Sequence, residues 1–362
     1  MFMDNKMLKN MTERVSFLDN IRAFAISIVV LCHSVEFIFI GDPWVEASQT
    51  MVTVCVFLHS LARIGVPLFL FLSGYLLLDR EFNSEKDVFK FWKTKVLPLV
   101  FAWVVWIIMF YSFKCWHDGG MFSLKDLLLC VFMRDRTLLL HDWYMYMLIG
   151  IYCIYPFISI LLKKFSAKMI AIGLGFIYVF CMVLPTITSI TGKNVAFFNL
   201  VYLNVINYNS FYVLYVVLGY YLKKYEKLKF NLSINFIGFI IAMIITMIFG
   251  FYRRTIGQSC YIWYEFPVLP FTTLFLFNLL RSISLPTFLQ KISARFSICS
   301  FGIYLIHVPV QMVMSKVLDF SVLSPVVSFT IKFLGGLIIS YIIVEIFSRI
   351  KYLNSILFLI KR

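Results

Sequence analysis

The chain reads as a succession of long apolar runs separated by short polar stretches, most of them basic. A helix that crosses a bilayer needs about 20 predominantly apolar residues, with charges marking its ends. Ten runs answer to that description: 18–40, 51–78, 96–113, 143–162, 169–187, 209–222, 232–250, 266–281, 298–315 and 325–347. The run 51–78 is long and contains Pro67, which predicts a tilted or kinked helix; the run 209–222 is the shortest. The longest stretch between runs, about 114–142, leaves no room for a soluble domain, and there is no internal repeat or low-complexity linker. The expectation is a single all-α transmembrane domain over residues 1–362, a polytopic membrane protein of about ten helices. Its chemistry must then come from intramembrane residues and short loops.

Composition agrees. The 362 residues are 61% hydrophobic and 14% charged, with a mean hydropathy of +0.89. Soluble domains run at about 45–50% apolar and about 25% charged, so a chain of two or three soluble domains is excluded. Lys and Arg number 33 against 18 Asp and Glu, a net charge of +15. In a soluble protein that excess points to nucleic acid; in a membrane protein it follows from the enrichment of Lys and Arg in cytoplasmic loops. With the N-terminus inside, the inner segments carry Lys6/Lys9/Arg14, Arg80/Lys86/Lys90/Lys93/Lys95 and Lys163/Lys164/Lys168. They continue with Lys223/Lys224/Lys227/Lys229, Arg281/Lys291/Arg295 and Arg349/Lys351/Lys361/Arg362. The outer segments and helix ends hold fewer, among them Lys114, Lys125, Arg134, Arg136, Lys193, Arg253, Arg254, Lys316 and Lys332. Both termini are therefore expected in the cytoplasm, with the bilayer rather than nucleic acid as partner. No removable signal peptide is expected, because no A-x-A-like site precedes a long span. The eight cysteines show no CxxC pair or metal-ligand spacing; no metal is expected, and a disulfide is conceivable only among Cys115, Cys130 and Cys260.

The informative residues are the charged ones inside the runs, each costing at least ~2.5–3.5 kcal/mol near a helix centre. The first run carries Asp19, Arg22, His33 and Glu36. At about 100° per residue, His33 falls about 20° from Arg22 around the helix and about 16 Å along it. Asp19 and Glu36 lie to one side of the same stripe. Asp19 with Arg22 as an interfacial pair, and Glu36 among outer headgroups, is one reading. That reading leaves His33 without an interface: either it is a neutral core histidine, or it is a general base with Arg22 as a handle for an anionic group.

The second run adds His59 and Arg63 at i, i+4, on one face, four residues before Pro67. Arg63 suits either an anionic substrate group or a carboxylate on another helix. Ser73-Gly74 reads most simply as a small-residue helix contact. In His141-Asp-Trp-Tyr-Met-Tyr, Asp142 suits an N-cap and Trp143, Tyr144 and Tyr146 suit interfacial aromatics; His141 beside aromatic rings also suits a sugar-stacking site. Ser300-Phe-Gly-Ile-Tyr-Leu-Ile-His307 places Tyr304 and a second intramembrane histidine at i, i+3.

Leu18-Asp-Asn-Ile-Arg22, with His33 following Arg22 after ten residues, resembles the R-x10-H signature of the acyltransferase 3 family of integral membrane acyltransferases. Val66-Pro67-Leu-Phe-Leu-Phe-Leu-Ser73-Gly74-Tyr75 resembles that family's next helix, His141-Asp-Trp-Tyr-Met-Tyr-Met-Leu-Ile-Gly-Ile-Tyr152 its "HLW-Y-x-LIGLY" helix, and Ser300–His307 its "S-x-GIYLIH" helix. Four motifs in order span nearly the whole chain. Their wording is most similar to the branch that O-acetylates sugars of bacterial surface polysaccharides.

The resemblance implies an acyl-CoA donor, usually acetyl-CoA, with no bound cofactor, and a saccharide or lipid-linked glycan acceptor at the bacterial cytoplasmic membrane. It implies His33 as the catalytic histidine, Arg22 as its essential partner and Asp19 as their support. Arg63, Ser73, His141, Trp143, Tyr144, Tyr304 and His307 would then contact substrate, and Arg22, Arg80, Lys93 and Lys95 the acyl-CoA. Two departures stand out: Asp142 replaces a leucine common in relatives, and Lys93-Thr-Lys95 replaces an arginine-rich cluster. A hydrolase-like outer domain fused to some members is not expected. His33 would either deprotonate a sugar hydroxyl or first accept the acyl group itself. The competing expectation is a transporter or flippase for a lipid-linked saccharide, whose polar stripe lines a pathway; that predicts paired broken helices, and no convincing pair is found.

Overall fold

A computed structural model describes residues 16–38, 48–132, 138–139, 141–192, 210–225 and 228–360. Lys6, Lys9, Arg14, Arg134, Arg136, Lys193, Lys227, Lys361 and Arg362 lie outside the described residues. The described chain is helical without strands. In order, the helices are α1 (Ser16–Ile38), α2 (Gln49–Ala62), α3 (Gly65–Leu77), α4 (Glu85–Phe91), α5 (Leu97–Asp118), α6 (Leu124–Val131) and α7 (Trp143–Lys164). They continue with α8 (Ala167–Tyr178), α9 (Leu184–Thr191), α10 (Phe211–Lys224), α11 (Leu232–Thr255), α12 (Leu269–Ser282), α13 (Thr287–Val317), α14 (Pro325–Phe347) and α15 (Leu353–Leu357). One π turn, Trp92–Val96, joins α4 to α5, and another, Val179–Val183, joins α8 to α9.

Eight helical stretches among the described residues are long and apolar enough to cross a membrane, so the chain is an all-α polytopic membrane protein. The other two expected spans are α10 and α12, each 14 residues long, or about 21 Å. Pro267 and Pro270 explain the late start of α12: proline lacks the N–H that an upstream turn requires, and Pro270 sits in the first turn, where that loss costs nothing. The chain before it, Ser259–Val268, packs inside the bundle without helix, with Cys260, Ile262, Tyr264 and Phe266 all buried.

The expected kink in the second run is a break. Pro67 has no N–H to offer the carbonyl of Arg63, and α2 ends at Ala62, just before that residue. Ile64 N–H reaches instead to Leu61 O at 3.2 Å, a tightened turn, and α3 restarts at Gly65. A buried arginine is thereby set at a corner between two helices.

α3 crosses α10 at backbone contact. A Cβ on Gly74 would lie 1.8 Å from the Val216 carbonyl oxygen, and one on Gly219 would lie 2.1 Å from that of Phe71. The expected small-residue contact is thus made by Gly74, whereas Ser73 bonds to α7, accepting from Tyr155 OH at 2.7 Å and donating to Tyr152 OH at 3.2 Å.

Several basic helix ends meet at one end of the bundle. Lys163 Nζ, on α7, donates to the carbonyls of Asp79 and Arg80 at 3.0 and 2.7 Å, and Lys223 Nζ, on α10, pairs with Asp79 at 2.8 Å. Arg281, at the end of α12, lies over the Phe17 ring at the start of α1. Lys332, placed by sequence at an outer helix end, is buried; its Nζ donates to Ser315 at 2.7 Å and faces the rings of Phe37 and Phe320. All eight cysteines are free, with Cys130 and Cys260 buried, so none of the conceivable disulfides forms.

Candidate active site

α1 and α13 pack along each other and carry the site's two ends. Near the start of α1, Arg22 Nη1 donates to Ser297 Oγ at 2.8 Å, and Ser297 Oγ donates to Asp19 Oδ1 at 2.6 Å. Arg22 and Asp19 themselves stand 3.6 Å apart. A hydroxyl thus bridges the charges, and Asp19 is buried while Arg22 keeps part of its surface open.

Three turns further on, His33 meets His307. His33 Nδ1 lies 3.1 Å from the Val29 carbonyl oxygen and 3.1 Å from His307 Nε2, while His307 Nδ1 lies 3.1 Å from the Ile303 carbonyl oxygen. A carbonyl oxygen can only accept, so both Nδ1 atoms carry protons. In this assignment the single Nδ1–H of His33 is shared between the Val29 carbonyl and His307 Nε2, and the His33 lone pair is left on Nε2. Gln311, one turn past His307, donates to Ser34 at 2.7 Å and holds the two helices in register.

His141 joins this pair from the short segment before α7. Its ring centroid is 5.0 Å from that of His307 and 6.1 Å from that of His33. Tyr304 OH donates to the His141 backbone carbonyl and fixes the segment. Asp142 occupies the N-cap position, but its carboxylate does not cap the helix; Oδ2 accepts the N–H groups of Leu138 and Leu139 at 2.6 and 3.2 Å. Burial pushes its carboxyl up to about 6.

Glu36 is not among headgroups. Its Oε1 accepts from Arg63 Nη2 at 2.7 Å and from the Cys32 thiol at 3.6 Å. Of the two readings of Arg63, a carboxylate partner on another helix is the one the geometry shows. Arg63 also donates to His59 Nε2 at 3.1 Å and to Tyr264 OH at 3.2 Å, and its guanidinium faces the Trp263 ring at 4.9 Å. Cys32, Glu36 and His59 gather three metal-type donor atoms within 4.8 Å of one another. Arg63 is already bonded to two of those residues, so the cation at this point is the protein's own.

A cavity of about 800 Å³ runs beside this axis. Arg22, Lys95 and Arg295 line its polar end, where Arg295 pairs with Glu345; Ser73, Tyr152, Tyr144 and Tyr304 also line it. Val29, whose carbonyl faces His33 Nδ1, is on the wall, so the cavity stops about one helical turn short of His33, against the Tyr144–Tyr304 ring pair. The C-terminal segment closes one side: Trp106 Nε1 donates to Leu357 O at 2.8 Å, and Phe358, Leu359 and Ile360 line the wall.

Of the residues singled out from sequence, Arg22, Ser73, Tyr144, Tyr304 and Lys95 line the cavity. His33, His307 and His141 form the histidine centre above it. Trp143 stacks on Tyr212 and abuts Tyr264 on the Arg63 side, with ring centroids 5.9 and 5.3 Å away. Arg80 and Lys93 are exposed and outside the lining. Glu36 and His59, noted in the sequence but given no role in the site, take part as well, as do Trp263, Tyr264, Ser297 and Arg295, which sequence reasoning did not select. The spacings i, i+3 from His33 to Glu36 and i, i+4 from His59 to Arg63 were the available signals for the first two.

These features define a multi-pass membrane protein with a buried histidine centre next to a cationic cavity. The chain belongs to the acyltransferase 3 family: that family's model, described as an acyltransferase domain, matches residues 15–345. Comparison with curated proteins and with solved structures gave no significant match. The family makes this a membrane acyltransferase.

Proposed function

We propose that the chain is an O-acyltransferase that moves an acyl group, acetyl in the simplest case, from cytosolic acyl-CoA to a hydroxyl of a cell-envelope sugar. The observation that carries this reading is a cavity with three cationic residues at one end and a histidine centre beyond the other. The phosphates of CoA suit Arg22, Lys95 and Arg295. The pantetheine arm then runs past Ser73 and Tyr152 toward Tyr144 and Tyr304, which must part for the thioester to reach His33. Arg80 and Lys93, outside the cavity, are suited to drawing the anion toward its mouth. Asp19 holds Arg22 through Ser297. On the acceptor side, Trp143 and His141 offer rings for a sugar, and Arg63 stands behind them.

His33 Nε2, with its free lone pair, takes the proton of the acceptor hydroxyl as that oxygen attacks the thioester carbonyl. The tetrahedral intermediate collapses by breaking the C–S bond, and the CoA thiolate takes the proton from the imidazolium. No resident cofactor or metal enters the scheme. The clustering of basic helix ends supports a bacterial inner-membrane location with both termini cytoplasmic.

The test is transfer from radiolabelled acetyl-CoA in membranes holding the wild type, His33→Ala or Arg22→Ala. Label in a glycolipid or polysaccharide fraction with the wild type, falling about 10²–10⁴-fold in His33→Ala, is the expected result. Equal labelling in all three, with the variants properly inserted, overturns it.

A further inference from the structure

The partner of His33 on its free side is a carboxylate held in an unusual way. Arg63 meets Glu36 through one nitrogen and one oxygen, Nη2 to Oε1 at 2.7 Å. A pair built only for packing gains most from the two-pronged contact that guanidinium and carboxylate readily form. Here the other guanidinium nitrogens are spent on His59 and Tyr264, and all hydrogen bonds to Glu36 end on Oε1. Oε2 is left facing His33 Nε2 at 3.9 Å.

That separation is too long for a hydrogen bond and has a direct reason. In the assigned tautomer both atoms are acceptors, so they stand apart. Protonation of Nε2 turns the ring into a cation 3.9 Å from the carboxylate, an attraction that the neutral ring lacks. Glu36 therefore interacts far more strongly with the imidazolium than with the neutral ring. Only an interaction that grows toward the transition state accelerates a reaction.

We propose that Glu36 is a positioning residue of the histidine centre, a counter-charge beside the His33 imidazolium that leaves Nε2–H directed at the reacting atoms, with Arg63 holding the carboxylate ionised and aimed. The inference rests on the acyltransferase reading and adds to it the device that makes His33 an effective base. The other titratable groups around His33 are His307 on α13, His141 before α7 and Cys32 on α1. Behind Glu36 stand Arg63 and His59 at the end of α2, and Tyr264 from the segment before α12.

The experiment compares the purified full-length protein with Glu36→Gln and Glu36→Asp. Glutamine keeps the shape and an acceptor for Arg63 but removes the charge. Its kcat for acetyl transfer should fall about tenfold to a hundredfold, less than the loss of the general base itself, with KM for acetyl-CoA unchanged. The acid limb of the rate–pH profile should move down by about one unit or more, because the imidazolium loses its counter-charge. Glu36→Asp should recover part of kcat. A fall of equal size in both variants with an unmoved pH profile assigns Glu36 to packing and overturns the proposal.

A readout independent of turnover separates this from the proposed activity. Diethylpyrocarbonate modifies only neutral imidazole, and peptide mapping reports His33 apart from His59, His117, His141 and His307. The pH midpoint of His33 modification should be lower in Glu36→Gln than in the wild type. An unmoved midpoint overturns the proposal even if transfer is active. A shifted midpoint with no transfer sustains it while the acyltransferase reading fails.

Discussion

α1 carries two carboxylate–arginine centres, one at each end, and they are built oppositely. At the Asp19 end the charges stand 3.6 Å apart with a serine hydroxyl between them, and the Arg22 side chain is 23% exposed toward a cavity. At the Glu36 end the contact is 2.7 Å and the Arg63 side chain is 6% exposed, with its donors committed to Glu36, His59 and Tyr264. The same pair of chemical groups therefore does two jobs. A guanidinium that keeps surface toward a cavity can meet a ligand there; one buried with each of its nitrogens bonded inside the bundle orients its partner. Burial is what separates the cases, because a buried charge must be matched by the protein itself.

The comparison can be broken by neutralising each arginine. Arg63→Gln leaves Glu36 buried without its cation, and unpairing of this kind costs about 3–5 kcal/mol. Thermal unfolding in detergent should show a large loss of stability. Arg22→Gln, which leaves Asp19 its bond from Ser297, should lower the unfolding temperature by less and raise KM for acetyl-CoA, since a lost charged hydrogen bond is worth about 1.5–3 kcal/mol. Comparable destabilisation in both, or an unchanged KM in Arg22→Gln, would remove the distinction.

A third carboxylate sharpens it. Asp142 is buried without an ion-pair partner among the described residues, and its carboxyl is pushed from 3.8 up to about 6 by burial. The folded state holds this proton more tightly than the unfolded chain, so the associated stability is complete below the ordinary carboxyl value and lost as pH rises through about 6. By linkage the difference approaches about 3 kcal/mol. Asp142→Asn keeps an acceptor for Leu138 and Leu139 without the charge. It should match the wild type near pH 4 and be the more stable protein near pH 7.5; equal melting at both pH values would show that the carboxylate is solvated.

The smallest effect concerns the link between the cavity and the histidines. Tyr304→Phe removes the hydrogen bond to the His141 carbonyl, worth about 1 kcal/mol, and keeps the ring against Tyr144. A modest fall in both unfolding temperature and transfer rate is expected. A rate loss as deep as that of His33→Ala would instead place the hydroxyl in the chemistry.

Much of this was legible because it is local. The stripe from Arg22 to His33 follows from helical periodicity, and the break in the second run follows from Pro67, although the position of the break at Arg63 needs the i−4 relation to be applied. Tyr304 and His307 were visible as polar groups in an apolar run. One of the two readings left Glu36 among headgroups, because in one dimension a charge near a helix end looks interfacial. Its position is decided by Arg63, 27 residues away, at a corner whose direction hydropathy does not encode. Tyr264 was missed for a related reason: the stretch before α12 looks like an ordinary loop.

That this chain crosses a membrane many times, which residues break its apolar runs and, through four motifs, its family could all be read along the chain. Those properties depend on composition and on neighbours within a few turns. Which charges pair and which residues face the cavity were settled only by the packing of the helices. They depend on how α1, α2, α7 and α13 meet, and on side chains far apart in the chain that share buried space where every polar group must find its partner.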